Sequence, residues 1–303
     1  MKEINISCFF KRVWNSIKKK YKSISFFAIL KYSFLFFISC FLTLAFYAMF
    51  IMSLKNNDDI INNNILSFPK NGWHWENYLS AFQAFKFFRY LWNTCLMVFF
   101  STLFGTIICI ITAFALTMFE FPLKNVVFKL LLLGLMITSE TLILTNYRTV
   151  ANWGMVNAGY GTEFPGGVYF AMTLPYLINI VHILILIRAF QRVPKELYYT
   201  SKIDGATDWY YLWKILVPIT KATIIITVIF RIVAAWNAYA WPELVGGELL
   251  TNMARKTFNN ESGIDAVNIQ MAIAVLINLP LFFIFIFFKK YIVSGENSSG
   301  IKG

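Results

Sequence analysis

Residues 192–221, RVPKELYYTSKIDGATDWYYLWKILVPITK, hold the densest mixture of charge, aromatic rings and helix punctuation in an otherwise apolar second half of the chain. Their types suit docking rather than catalysis. Pro194 is placed for a first helical position, where its missing N–H costs nothing, and Glu196 falls in that first turn, against the positive end of the helix dipole. Asp204-Gly205 interrupts the pattern, because glycine tolerates the backbone angles that end a helix. Thr207 is suited to cap a second helix with Asp208 in its first turn. Trp209, Leu212, Trp213 and Leu216 follow at i, i+3, i+4 and i+7, the spacing of one apolar stripe, and Pro218 closes the segment. The segment therefore reads as two short helices in a hairpin. Such a hairpin can dock a partner, or it can lie on a membrane surface, where Trp and Tyr are equally at home.

No residues are assigned to catalysis. The chain has no G-x-x-x-x-G-K-[ST] phosphate loop, no nucleophile elbow and no H-E-x-x-H motif. If it is a pump, its energy comes from a partner. Glu140 and Arg231 lie inside apolar runs. An ionisable group near the bilayer centre costs on the order of 2.5–3.5 kcal/mol on insertion scales, so each is expected to face protein or water. With Asn237 they read as a polar translocation path; alternatively, Glu140 and Arg231 form an ion pair between helices. Asn179 and His182 are weaker candidates, since polar contacts between membrane helices are common, and Pro175 and Pro280 read as kinks. Cys8, Cys40, Cys95 and Cys109 form no C-x-x-C pair and read as buried free thiols. His74 and His182 have no clustered ligand partners, so neither a metal nor a cofactor of this chain is expected.

The elements that would position these residues are membrane spans. Of the 303 residues 58% are apolar and 14% charged, against roughly 45–50% and about 25% in soluble chains. The pattern predicts an all-α polytopic membrane protein with six spans. A basic cytosolic segment, 1–31, precedes a first helix at 32–54, whose 23 or so residues reach roughly 34 Å. That run is too long for a signal-peptide core. An extracytoplasmic loop, 55–90, leads to a five-helix domain, 91–288, with spans near 91–119, 126–147, 168–190, 222–241 and 268–288. The hairpin 192–221 sits between the fourth and fifth, and 289–303 form a tail. With the N-terminus placed inside, 18 of the 27 basic residues fall in cytosolic segments and 7 in outer ones, the asymmetry that sets orientation. Both termini are then cytosolic in a multi-pass protein of the cell membrane. The same distribution accounts for the net charge of +12 without nucleic acid, because the excess lies beside membrane helices.

Asp204-Gly205-Ala206, an aromatic-rich turn, then Ile215 and Pro218, with Pro194 upstream, resemble the cytosolic motif of ABC-importer permease subunits. More narrowly they resemble the carbohydrate-uptake branch, of the maltose and glycerol-phosphate permease type. Where that family usually has Glu-Ala-Ala, this chain has Tyr199, Thr200 and Ser201, so the small residues are roughly kept and the acidic one is lost. Asn77-Tyr78, Asn93-Thr94, Ala113–Leu116, Trp153–Asn157, Trp236–Pro242 and the Gly-rich tail from Ser294 match the same branch, and the likeness covers about 77–303. The resemblance implies a type I importer permease fold and a hairpin that seats on an ATPase through Pro194, Glu196, Tyr199, Thr200, Ser201, Asp204, Gly205, Ala206, Trp209, Trp213, Ile215 and Pro218. It also implies a homologous second permease subunit, an extracytoplasmic solute-binding protein and two ATPase subunits that hold ATP and Mg. The solute would be a sugar or sugar-like. An ion-coupled secondary transporter and a non-transporting membrane scaffold are the alternatives. The first calls for inverted repeats and its own coupling carboxylates; the sequence has no visible repeat, and only Glu140 lies deep in a span.

Overall fold

Long apolar runs, rather than amphipathic patterning, dictate the helices of this chain. The computed structural model describes residues 26–62, 65–70, 72–84, 86–138, 141–156, 166–258 and 267–297. Three helices are continuous and long: α1 (Phe26–Ser53), α4 (Phe87–Met118) and α14 (Val267–Asn297). Each contains a stretch long and apolar enough to cross a bilayer. Only 6% of the apolar window of α1 is buried, against half of that in α4. α4 is the central post, packed on by α7 (Gly167–Leu177), α8 (Ile180–Gln191) and α11 (Lys221–Trp236). α1 touches mainly α14 and shows Phe34, Phe36, Phe37 and Phe41 to its surroundings. So large an apolar face is stable only in lipid, and the chain is a membrane protein.

Two further stretches are broken. α7 and α8 meet at 48° across Ile178 and Asn179. Pro175, inside α7, has no N–H for the carbonyl of Ala171 one turn back, and the indole Nε1 of Trp241 donates to that carbonyl instead, at 2.8 Å. The chain then runs extended through Ile178 and Asn179, and the Asn179 side chain accepts the backbone N–H of His182 to cap α8. The second break is sharper: α10 (Asp208–Ile219) and α11 meet at 83° at Thr220. Near Pro280 in α14, the indole Nε1 of Trp236 donates to Ile277 O at 3.2 Å, binding the fifth apolar segment to the sixth.

The run expected as a third span, 126–147, is divided between α5 (Lys124–Gly134) and α6 (Ile143–Asn152). The described residues thus hold three continuous spanning lengths, or five if each bent pair spans. Apolarity reports where a chain can enter lipid, and it does not report where the backbone breaks. Two thiols also differ from expectation: Cys109 is buried, but Cys40 and Cys95 are exposed on the chain's surface.

The short helices α2 (Asn57–Asn62), α3 (Glu76–Ala84), α12 (Ala240–Leu244), α13 (Leu250–Phe258) and α9 (Lys195–Ile203) complete the described set. Two polar pins hold the α3 and α13 end together. The Asn77 amide donates to Ser53 O and Lys55 O, both at 2.9 Å, and its Oδ1 accepts from Asn268, so α1, α3 and α14 share one side chain. Asn93 donates to Glu248 O and accepts from the Tyr169 hydroxyl, while Thr94 Oγ1 accepts the N–H of Leu250, the first residue of α13. Removing a buried partner leaves the others to bear a desolvation cost of about 1–3 kcal/mol. Asn77→Ala is therefore expected to lower the melting temperature of the purified chain by several degrees, while exposed Asn278→Ala leaves it unchanged. Differential scanning fluorimetry in detergent measures both.

Candidate functional site

The hairpin is formed by α9 and the first half of α10. α9 ends in a paired cap: the N–H of Gly205 reaches Lys202 O at 3.1 Å and that of Ala206 reaches Ser201 O at 2.9 Å, the bond pattern that requires a left-handed residue just past the helix. Gly205 supplies it, with φ of +80°. A Cβ added there would meet nothing within 4 Å, so glycine is required for its backbone and leaves open space on its outer side. Thr207 then caps α10 by accepting the N–H of Tyr210 at 3.2 Å, with Asp208 in the first turn.

One carboxylate ties the two arms together. Asp208 Oδ1 accepts from the Tyr198 hydroxyl and from Lys202 Nζ, each at 2.7 Å, and the Lys202 ammonium also lies 5.6 Å from the Tyr198 ring centroid. The Lys202 and Tyr198 bonds hold the Asp208 carboxyl below its ordinary value of 3.8. Burial, reinforced by the bond to Asp208, pushes the Tyr198 hydroxyl up to about 12. A carboxyl lowered by folding contributes stability above its ordinary value and loses it as pH falls through the folded one. The hairpin is thus fully held at neutral pH and loosens only below about pH 4.

Below this link, Tyr211, Leu212 and Leu216 are buried with Phe114, Leu186, Ile187 and Phe190, so the base of the hairpin is part of the α4–α8 core. Tyr198 meets Tyr211 edge to face at 5.0 Å. The turn Leu212–Leu216 is a π-helix, in which the N–H of Val217 bonds Leu212 O five residues back. Pro218 explains the widened turn: it has no N–H, and its ring would press on the carbonyl of Lys214 in a regular helix.

The wider turn alters the stripe read from sequence. Leu212 and Leu216 are buried, Trp213 is half-buried, and Trp209 is 60% exposed and meets Trp213 edge to face at 5.6 Å. Pro194 is the N-cap, with ψ of 131°, rather than the first helical residue; Glu196 lies in the first turn. Ser201 is buried with its hydroxyl on Tyr198 O, Ile215 is half-buried, and Pro194, Glu196, Tyr199, Thr200, Asp204, Gly205 and Pro218 are exposed. Leu197, Tyr199, Ile203, Trp209 and Tyr210 are exposed apolar or aromatic side chains on the hairpin, Ile203 at 85%.

The second cluster surrounds Arg231. The break after Leu177 leaves carbonyls without helical partners. Arg231 Nη1 donates to Tyr176 O at 2.9 Å, and Nη2 donates to Leu177 O at 3.3 Å and to Cys109 Sγ at 2.8 Å. A cation at the negative end of a helix is favourable, and here it lies 4% exposed. Glu140 lies outside the described residues, and among those described Arg231 forms no ion pair. Arg231, Asn179, His182 and Asn237 line one cavity of about 490 Å³, with Tyr239 and Trp241 on its wall. Gly105 was missed by the sequence reading: a Cβ there would overlap the Arg231 guanidinium and stand 2.9 Å from Leu177 O. A glycine one helical turn before Cys109, facing a span with a lone arginine, was the only signal for it.

Two outcomes test these clusters. Acidifying the purified chain from pH 7 to pH 3 is expected to increase quenching of Trp209 and Trp213 by iodide, and Asp208→Asn is expected to show the raised quenching already at pH 7. Gly105→Ala forces Arg231 off its carbonyls and is expected to cost about 1–3 kcal/mol, read as a lowered unfolding midpoint, whereas Gly134→Ala meets only the flexible end of Ile180 and costs less.

No family model matches the sequence. A probable ABC transporter permease protein of Mycoplasma pneumoniae is 26% identical over 85% of this chain and 83% of its own length. The arabinooligosaccharides transport system permease protein of Bacillus subtilis is 23% identical over 85% and 89%. The sn-glycerol-3-phosphate transport system permease protein of Yersinia enterocolitica is 25% identical over 68% and 71%. Among solved structures, a chain of a bacterial ABC transporter that imports the acidic polysaccharide alginate superposes with a TM-score of 0.73, covering 88% of this chain and 96% of its own at 16% identity. A chain of a bacterial alginate ABC transporter, in complex with a periplasmic protein bound to an alginate pentasaccharide, gives 0.59 over 91% and 95%, also at 16% identity.

Proposed function

We propose that this chain, an ABC-importer permease of the carbohydrate-uptake kind by its relatives and its fold, forms part of the path of a sugar or sugar-like solute and is driven through the 192–221 hairpin by separate ATPase subunits. The observation that carries the coupling role is the two-sidedness of the hairpin. Its inner side is fixed in the α4–α8 core by Tyr211, Leu212 and Leu216, and its outer side presents Leu197, Ile203, Trp209 and Tyr210 to a partner. A rigid element anchored on one side transmits displacement instead of absorbing it. With Tyr199 in place of an acidic residue, contact there is aromatic rather than ionic.

In this reading the chain crosses the membrane six times, with 1–31, 192–221 and 289–303 on the cytosolic side, as the 18-to-7 division of basic residues favours. A homologous second permease completes the path, two ATPase subunits below supply ATP and Mg, and a solute-binding protein delivers solute to the outer loops. Closure of the ATPases moves the hairpin and rocks the helices between inward-facing and outward-facing arrangements. Glu140, Arg231 and Asn237 contribute to the path.

Gentle extraction of the tagged chain from its native membrane is expected to bring down a second permease and about two copies of a phosphate-loop ATPase, identified by mass spectrometry. Gly205→Trp fills the open outer side of the turn and is expected to abolish ATP-dependent uptake and ATPase capture with insertion intact. Gly205→Asn, which tolerates the left-handed backbone, is expected to retain both. Normal uptake by Gly205→Trp, or recovery of the chain alone after crosslinking, rejects the coupling role and favours a surface-lying hairpin.

A further inference from the structure

The break between α7 and α8 brings two opposite helix ends to one point. The end of α7 offers carbonyls with partial negative charge, and the start of α8 offers amides with partial positive charge. Arg231 answers the first end from within the chain by covering Tyr176 O and Leu177 O. At the second end the Asn179 side chain answers one amide, that of His182, and no charged group does: Asn179 and His182, the cap and first turn of the 12-residue α8, stand in the wall of the 490 Å³ cavity. The guanidinium adds a full positive charge to the same wall.

This field is uncompensated among the described residues. Arg231 is 4% exposed and makes no ion pair there, and its Nε has no partner. His182 is 7% exposed, and its Nδ1 has none either. A buried cation without a counter-charge is costly, and an anion admitted beside it recovers part of that cost. Arg255, whose guanidinium lies 4.4 Å from the Tyr239 ring centroid, adds a second cation beside the cavity wall. The remaining lining is not that of a bare anion site. Tyr239 and Trp241 contribute aromatic rings to the lining, and Asn146, Asn237 and Ser101 contribute polar side chains. Rings that meet C–H surfaces, together with groups that meet hydroxyls, match a polyhydroxyl ring. The volume lies within the roughly 300–1,000 Å³ of small-molecule sites.

We propose that this cavity is a solute subsite that selects the anionic group, a carboxylate or a phosphate, of a sugar-sized polyhydroxyl molecule, held between Arg231 and the N-terminus of α8. The proposal deepens the importer reading above and rests on it.

The test uses the full chain in phosphatidylcholine nanodiscs, titrated calorimetrically with a digalacturonate, with glycerol 3-phosphate and with the neutral disaccharide cellobiose. At least one of the two anions is expected to bind about tenfold or more tightly than cellobiose, and which of them does so separates carboxylate from phosphate selection. Asn146→Asp puts a carboxylate into the wall at unchanged side-chain size. It is expected to reduce the ratio of anionic to neutral affinity about tenfold. Arg231→Gln is expected to reduce the ratio further, with its unfolding midpoint read alongside. Because Asn146 holds no helix end together, its result stands even if Arg231→Gln fails to fold. Equal affinity for all three probes, or a ratio unmoved by Asn146→Asp, overturns the proposal. So does a cavity that responds to the phosphatidylglycerol content of the disc and to none of the soluble anions, which would make it a lipid headgroup site. Copurification of the ATPase judges the importer reading separately, so ATPase capture combined with a preference for cellobiose rejects anion selection alone.

Discussion

A guanidinium held against the carbonyls of a broken helix organises the middle of this protein. In hydrocarbon the backbone must satisfy its own polar groups, and a span interrupted at Ile178 and Asn179 leaves some unsatisfied. Arg231 reaches across from α11 to Tyr176 O and Leu177 O, and also to Cys109 of α4. α4, α7 and α11 thereby share one side chain. The approach is close enough that α4 has only a hydrogen at position 105, where a methyl group would collide with the guanidinium. The break supplies the carbonyls, and the Arg231 contact that covers them joins α7, α11 and α4 at the wall of the cavity.

The same economy of carbonyls recurs at the prolines. Pro175 removes an N–H from α7, and the Trp241 indole takes the orphaned Ala171 carbonyl. Pro218 is accommodated by a π turn, which rotates Trp209 away from the side on which Leu212 and Leu216 are buried. Prolines read from sequence as kinks are also the points where distant helices are pinned together. The hairpin depends on this: its core side is set by Tyr211 and by Leu212 and Leu216 of the π turn, while Trp209 and Tyr210 before the turn stay exposed.

The hairpin and the cavity lie on different clusters but share α4 and α8. Cys109, Ile110 and Phe114 of α4 pack with the buried face of α8 and with Tyr211 of the hairpin, while Gly105 of the same helix packs against Arg231. Arg231 in turn caps the turn that precedes α8. A displacement of the hairpin therefore acts on α4 and α8, the two helices that frame the Arg231 contact, through contiguous packing.

Composition by itself determined that this chain lives in a membrane, because 58% apolar residues in runs of spanning length have no stable aqueous packing. Local sequence also determined the hairpin's punctuation, since caps and left-handed turns are decided within a few residues: Gly205, Thr207 and Asp208 act where their types placed them. The number and continuity of spans were not legible. Residues 126–147 are as apolar as a single span, and the described chain nevertheless forms two helices there. Tertiary structure alone decided the partners of Arg231. Its two backbone acceptors and Cys109 lie 54, 55 and 122 positions away, and a carbonyl freed by a helix break has no signature in residue type. Sequence spacing resolves contacts made within a turn of helix; contacts between spans depend on how the broken helices pack.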